Sequence, residues 1–82
     1  MMSREEILAV VRTAMVELFE LDPAQIVVTA RFNDDLEIDS IDSVDLMDHL
    51  ARVFQRKVRP QDFRNVRTVQ DLVDTIERMQ GQ

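Results

Sequence analysis

Apolar residues recur at three- and four-residue steps through Ile7, Leu8, Val11, Ala14, Met15, Leu18 and Phe19, the period of one helical face. Ser3-Arg4-Glu5-Glu6 just ahead of them has capping-box spacing. Together they predict a helix from about Arg4 to Glu20, ended by Asp22-Pro23, because the residue before a proline is pushed out of the α region. From there to Asp39 the pattern blurs. Ile26-Val27-Val28-Thr29 has strand composition, but no second strand exists to pair with it. The segment is therefore expected to be a long loop pinned by Ile26, Val28 and Phe32, and long loops in small domains are often functional.

A second helix is expected from near Ser40, with Val44, Leu46, Met47, Leu50, Val53 and Phe54 forming a wide apolar face. Asp42, Asp45 and Asp48 lie on its other side. Three-residue steps drift only about 60° around a helix, so these carboxylates form one band along the exposed surface. Arg56, Lys57 and Arg59 follow, then Pro60 opens a short helical turn through Phe63 toward Val66. Thr68 with Asp71 can cap a last helix, whose stripe is Val69, Leu72, Val73, Ile76 and Met79, with Gly81 placed as its terminator. The expected fold class is all-α: a small bundle of three main helices plus one short helix, with a long first loop, as a single domain over residues 1–82.

Composition narrows the function classes. The 45% hydrophobic content with one Gly and two Pro suits a folded helical chain. No cysteine is present, which excludes disulfides and thiolate metal sites. No apolar run approaches a membrane span, and Arg4, Glu5 and Glu6 make the N-terminus unlike a signal peptide, so the expected location is cytoplasmic. The net charge of −6 conceals an asymmetry: residues 33–50 hold seven acids and no Lys or Arg, while residues 52–67 hold six bases and one acid, Asp62. An acidic balance argues against nucleic acid as the main partner, and the acidic block predicts basic protein partners.

Few residues offer chemistry. Setting Asp35, Glu37 and Asp39 on a calcium loop fails, because Ser40 would stand where glycine is needed and Leu46 where a bidentate glutamate is needed. No metal site is expected. His49 has no cysteine or second histidine beside it and reads as a partly exposed helix residue. With Gly81 the only glycine, phosphate-cradling loops are absent. No catalytic residue is expected, since a triad needs a base near the serine and His49 lies nine residues beyond Ser40. Two similar triplets remain, Asp39-Ser40-Ile41 and Asp42-Ser43-Val44. A serine at the loop-to-helix junction can be a simple N-cap, or a projecting hydroxyl that accepts a phosphate where helix amides favour negative charge, and Asp39 could cap while Ser40 projects.

The run Asp35-Leu36-Glu37-Ile38-Asp39-Ser40-Ile41-Asp42-Ser43-Val44-Asp45-Leu46 resembles the phosphopantetheine attachment region of acyl carrier proteins, roughly D-L-G-x-D-S-L-x-x-V-E-L. The resemblance covers nearly the whole chain, with Phe32 in the loop, Phe54 closing the second helix, Val58 and Val66 bracketing the short helix, and Thr68-Val69-Gln70 opening the last. Ser40 in the attachment position puts Ile41, Val44, Asp45 and Leu46 on the pattern, whereas Ser43 there would put His49 on an aliphatic position. Ser43 is then a solvent-facing residue one turn in, and Val44 faces the core.

The resemblance implies a carrier rather than an enzyme. A phosphopantetheinyl transferase would attach 4'-phosphopantetheine to Ser40, and the thiol of the arm would hold acyl groups as thioesters. Asp39, Ile41, Asp42, Asp45, Met47 and Asp48 would be the surface read by ketosynthase, ketoreductase, dehydratase and acyltransferase-type enzymes, with the protein itself a monomer. Glu37 stands where the family usually has glycine, so the turn there is expected to tolerate a β-carbon. Asp48 replaces an apolar residue, and Ala51-Arg52 stand where many fatty-acid carriers keep acids. With "FELDPAQI" and "VRTVQDLVD", these features are similar to carriers of bacterial aryl polyene clusters, which use parts like those of type II fatty acid biosynthesis and polyketide assembly. The alternatives are a cofactor-free helical interaction module and a carrier for aminoacyl groups.

Overall fold

A computed structural model describes residues 2–56 and 60–80. Among them the chain forms three α-helices, α1 (Arg4–Phe19), α2 (Ser40–Phe54) and α3 (Val69–Gln80), with 3-10 turns at Pro23–Gln25 and Pro60–Phe63. The all-α expectation holds, and the short fourth helix is the Pro60–Phe63 turn. The expectations placed on Lys57, Val58, Arg59 and Gly81 lie outside the described residues.

Local signals place the helix ends. Ser3 Oγ accepts from the Glu6 amide at 3.2 Å, and the Glu6 carboxylate accepts from the Ser3 amide at 3.0 Å, the reciprocal capping box. The helix stops at Phe19, ahead of Pro23, because Glu20 turns left-handed at φ 55 and its amide closes on Val16 O. Asp22 instead caps the turn it precedes, accepting from Ala24 N at 2.9 Å. Thr68 and Asp71 exchange bonds of 3.1 Å at the start of α3, as expected.

The three helices share one core. α1 packs against both α2 and α3 through Ile7, Val11, Ala14 and Met15, which meet Leu46 and Leu50 of α2 and Leu72, Val73 and Ile76 of α3 in one cluster. Fully buried Leu50 or Leu72 cut to alanine typically costs 2–5 kcal/mol, roughly, so little of this core is dispensable. Leu18 and Val53, assigned to apolar faces by periodicity, are half exposed.

The long loop is held by backbone bonds that periodicity does not encode. Phe32 N donates to Arg67 O, Val69 N to Ala30 O and Gln70 N to Val28 O, around a single antiparallel bridge between Arg31 and Thr68. The Arg12 guanidinium donates twice to Ile26 O, at 3.2 and 3.0 Å, tying the loop to α1. Ile26 and Phe32 are buried as expected, but Val28 is 41% exposed, because its carbonyl is spent on Gln70 and its side chain turns outward. Ala30, Leu36 and Ile38 pin the loop in its place.

Two predictions arise here. Glu37 sits at φ 56, so the turn before α2 keeps the left-handed conformation that glycine favours and a β-carbon bears its cost. Glu37→Gly should raise stability by about 0.5 kcal/mol net of unfolded-chain entropy, a melting-temperature gain of roughly 2–4 °C, with Glu37→Ala giving none. The second concerns acid. Asp71 is held below its ordinary value by the amide of Arg67, then by Thr68; Asp35 by the amide and side chain of Arg31, and Glu6 by the amide and hydroxyl of Ser3. A carboxylate depressed on folding stabilises fully above its unfolded value, near 4, and that contribution is lost as pH falls through the lower folded value. Stability should therefore decline below about pH 4, and Asp71→Asn should flatten that decline while lowering neutral-pH stability by about 1 kcal/mol, read by denaturant melts across pH.

Candidate functional site

The site is built where the loop turns into α2. Ile38 is buried and its amide donates to Phe32 O at 2.7 Å, which fixes the chain's approach. Asp39 is the N-cap: its extended backbone lets Oδ1 accept from Asp42 N at 2.9 Å. Ser40 is thus the first residue of α2, exposed, with a hydroxyl engaged by no described residue. The choice left open by spacing, capping serine or projecting serine, falls to projection, because the neighbouring aspartate has taken the cap.

Ser43 differs from expectation. It is half-buried, and its Oγ donates to Asp39 O at 3.0 Å instead of facing solvent. Val44, expected in the core, is 61% exposed. The same rotation of α2 explains both: Ser43, Leu46, Met47 and Leu50, at steps of three, four and seven, share the inward face of the helix. That spacing was visible in the sequence, but the hydroxyl concealed it. Ile41 is 74% exposed and with Val44 makes an apolar patch directly beyond Ser40.

Beside Ser40 opens an apolar cleft of about 320 Å³. Ser43, Val44, Leu46, Met47 and Leu50 form its α2 wall, and Phe32, Phe63, Val66 and Leu72 bring in the loop, the second 3-10 turn and α3. Phe63 and Leu72 drew notice in the sequence only as helix residues, since a cleft between elements has no local signature. Met47, expected on the partner surface, lies half-buried in this wall.

The acidic band takes shape on another side of α2. Asp42, Asp45 and Asp48 line a shallow groove with Leu18 and Phe19 at the end of α1, together with His49 and Arg52. Their charges are not equivalent. Asp48 pairs with Arg52 at 3.0 Å, and Arg31 holds Asp34 at 3.2 Å and Asp35 at 3.3 Å. Asp42 and Asp45 make no ion pair with a described residue, so they carry most of the band's outward field. His49 is half-buried in this groove. Among the described residues no group of three or more acids, His or Cys is placed to hold a metal ion, and no helix is long and apolar enough to cross a membrane.

Comparison with known proteins bears on what this arrangement serves. Residues 9–76 match the family model described as "Phosphopantetheine attachment site". The chain is 36% identical over 78 residues to "Acyl carrier protein 2" of Ralstonia nicotianae, covering 95% of this chain and 96% of that protein. It is 38% identical over 81 residues to the acyl carrier proteins of Thermotoga maritima and Micrococcus luteus, covering 99% of this chain and all of each relative. A family match across most of the chain and relatives aligned end to end agree with the three-helix fold, and the chain belongs to the acyl carrier protein family, carriers rather than enzymes, with 4'-phosphopantetheine as the covalent cofactor.

Proposed function

We propose that Ser40 carries the phosphopantetheine arm and that the protein presents acyl intermediates on it to synthase enzymes of a specialised, aryl polyene-like pathway in the cytoplasm. The observation that carries the reading is the exposed, unengaged hydroxyl of Ser40 at the mouth of an apolar cleft. The surroundings fit the group. A phosphodiester on Ser40 lies in the first turn of α2, where free amides and the helix dipole favour negative charge, and the cleft beside it suits an apolar chain.

Attachment forms a bond from Ser40 Oγ to phosphorus while the bond to the nucleotide half of coenzyme A breaks. A base must take the serine proton; His49, about 13 Å further along α2, is too far to be it, and the adjacent carboxylate of Asp39 is spent on capping the helix. The base and the Mg²⁺ therefore belong to the transferase. When bound, the arm supplies a thiol that holds an acyl group as a thioester.

The protein's own residues do the rest. Asp39 holds the first turn so that Ser40 projects, Ile41 and Val44 offer an apolar contact at the attachment point, and Asp42 and Asp45 steer partners with basic faces. Ketosynthase, ketoreductase, dehydratase and acyltransferase-type enzymes are the expected visitors. The Asp48–Arg52 pair and the exposed Arg56 make the far half of the α2 surface mixed in charge, which favours dedicated partners. Incubation with coenzyme A, Mg²⁺ and a broad-specificity transferase should raise the intact mass by one arm. An unchanged mass, with the transferase active on a control carrier, overturns the reading.

A further inference from the structure

The cleft beside Ser40 shares a wall with a second cavity. Leu50 and Phe63 line both, and the second, of about 390 Å³, continues to the opposite end of the molecule between Phe54, Ile76, Met79 and Met2. Met2 is held over that end by a reciprocal pair of bonds with the Gln80 side chain, 2.9 Å from its amide and 3.2 Å to its carbonyl. The two wall residues differ in how firmly they are set. Leu50 is 1% exposed in the middle of α2, locked among core neighbours. Phe63 is only partly buried and ends a single 3-10 turn, so it is the part of the wall that a substitution can move.

Size gives this partition a consequence. A dry cavity of about 150 Å³ takes a benzene-sized group, so the near lobe of about 320 Å³ holds on the order of ten to twelve carbons. A longer chain must leave its end in water or pass Phe63. We propose that Phe63 is a specificity-determining residue, the partition that limits the length of apolar cargo enclosed, with the cavity lined by Met2 and Met79 as a second lobe that stays closed while the phenyl ring stands. The inference rests on the carrier reading, since it needs cargo borne on an arm anchored at Ser40.

The methionines report on each compartment. Met47 lines the near lobe, Met2 and Met79 line the far lobe, and Met15 is fully buried and lines neither. The protein, labelled with carbon-13 on its methionine methyls, is loaded through the arm with saturated acyl chains of about six to about sixteen carbons, and methyl spectra and thioester hydrolysis are read. In wild type, Met47 should shift with every chain, Met2, Met79 and Met15 should stay still, and protection should level off near ten carbons. In Phe63→Leu, which keeps an apolar side chain, Met2 and Met79 should shift with the longest chains, and their hydrolysis should slow roughly tenfold, because several further methylenes leave water. Adding Met79→Trp to fill the far lobe should return the wild-type plateau. Equal shifts of Met79 in wild type and Phe63→Leu, or an unmoved plateau in Phe63→Leu, would overturn the proposal. A protein that accepts no arm sinks the carrier reading itself, and the intact mass separates that failure from this one.

Discussion

Ser40→Ala abolishes the mass gain from the transferase completely, and Ser43→Ala leaves it in place: that pair of results is the largest effect expected of this protein. The physical reason is positional. Ser40 is the exposed first residue of α2, and Asp39, not Ser40, holds the cap through Asp42 N at 2.9 Å. Removing an exposed, unengaged hydroxyl should change stability by no more than about 0.5 kcal/mol, so the loss cannot be charged to unfolding. Ser43→Ala is the more disturbing change to the fold. It deletes the 3.0 Å bond from Ser43 Oγ to Asp39 O, which lowers stability by about 0.5–1 kcal/mol, yet it should leave the arm's addition intact. Intact mass and thermal melts on the same two samples give both readings. If Ser43→Ala abolished the gain and Ser40→Ala did not, the attachment site would move one turn into the helix.

Asp45→Lys should slow the action of a partner enzyme on the loaded protein about tenfold at low salt, with the difference shrinking as ionic strength rises. Asp45 is exposed and free of any described ion pair, so its reversal acts on the full field seen by an approaching basic face. A lysine there would stand three residues from both Asp42 and Asp48, a spacing that mildly favours the helix, so stability should hold. Arg52→Ala tests the same idea with the opposite sign. It releases Asp48 from its 3.0 Å partner, adds one net negative charge to the band, and should speed encounter about twofold at low salt. A loss in Asp45→Lys that persisted unchanged in high salt would point to a direct contact in place of steering.

The helices were legible because their causes are local. The Ser3–Glu6 box, the Thr68–Asp71 cap and the three-four spacing of Ile7, Val11, Ala14 and Met15 are all written within one or two turns of chain. The long loop was legible only as a loop. Its inward and outward residues depend on bonds to residues 67–70, more than thirty positions away, so Val28 was assigned inward while Ala30, Leu36 and Ile38 do the pinning. Glu37 shows the same division. Its departure from glycine is plain in the sequence, but that the turn keeps φ 56 regardless is a property of the loop's closure on Phe32 and Arg31.

By itself the sequence determined the class of protein and the helix ends, and it singled out Ser40 as the hydroxyl to test, because pattern, capping and motif spacing act over a few residues. Tertiary structure alone decided the rotation of α2 about its axis, which leaves Val44 exposed at the edge of the cleft and half-buries Ser43 in its wall. It also decided which acids keep an outward field, since Arg52 and Arg31 take up Asp48, Asp34 and Asp35. The cavities on either side of Phe63 belong wholly to that level. They are spaces between the loop, α2, the second 3-10 turn and α3, and such a space has no position in a chain until the elements have packed.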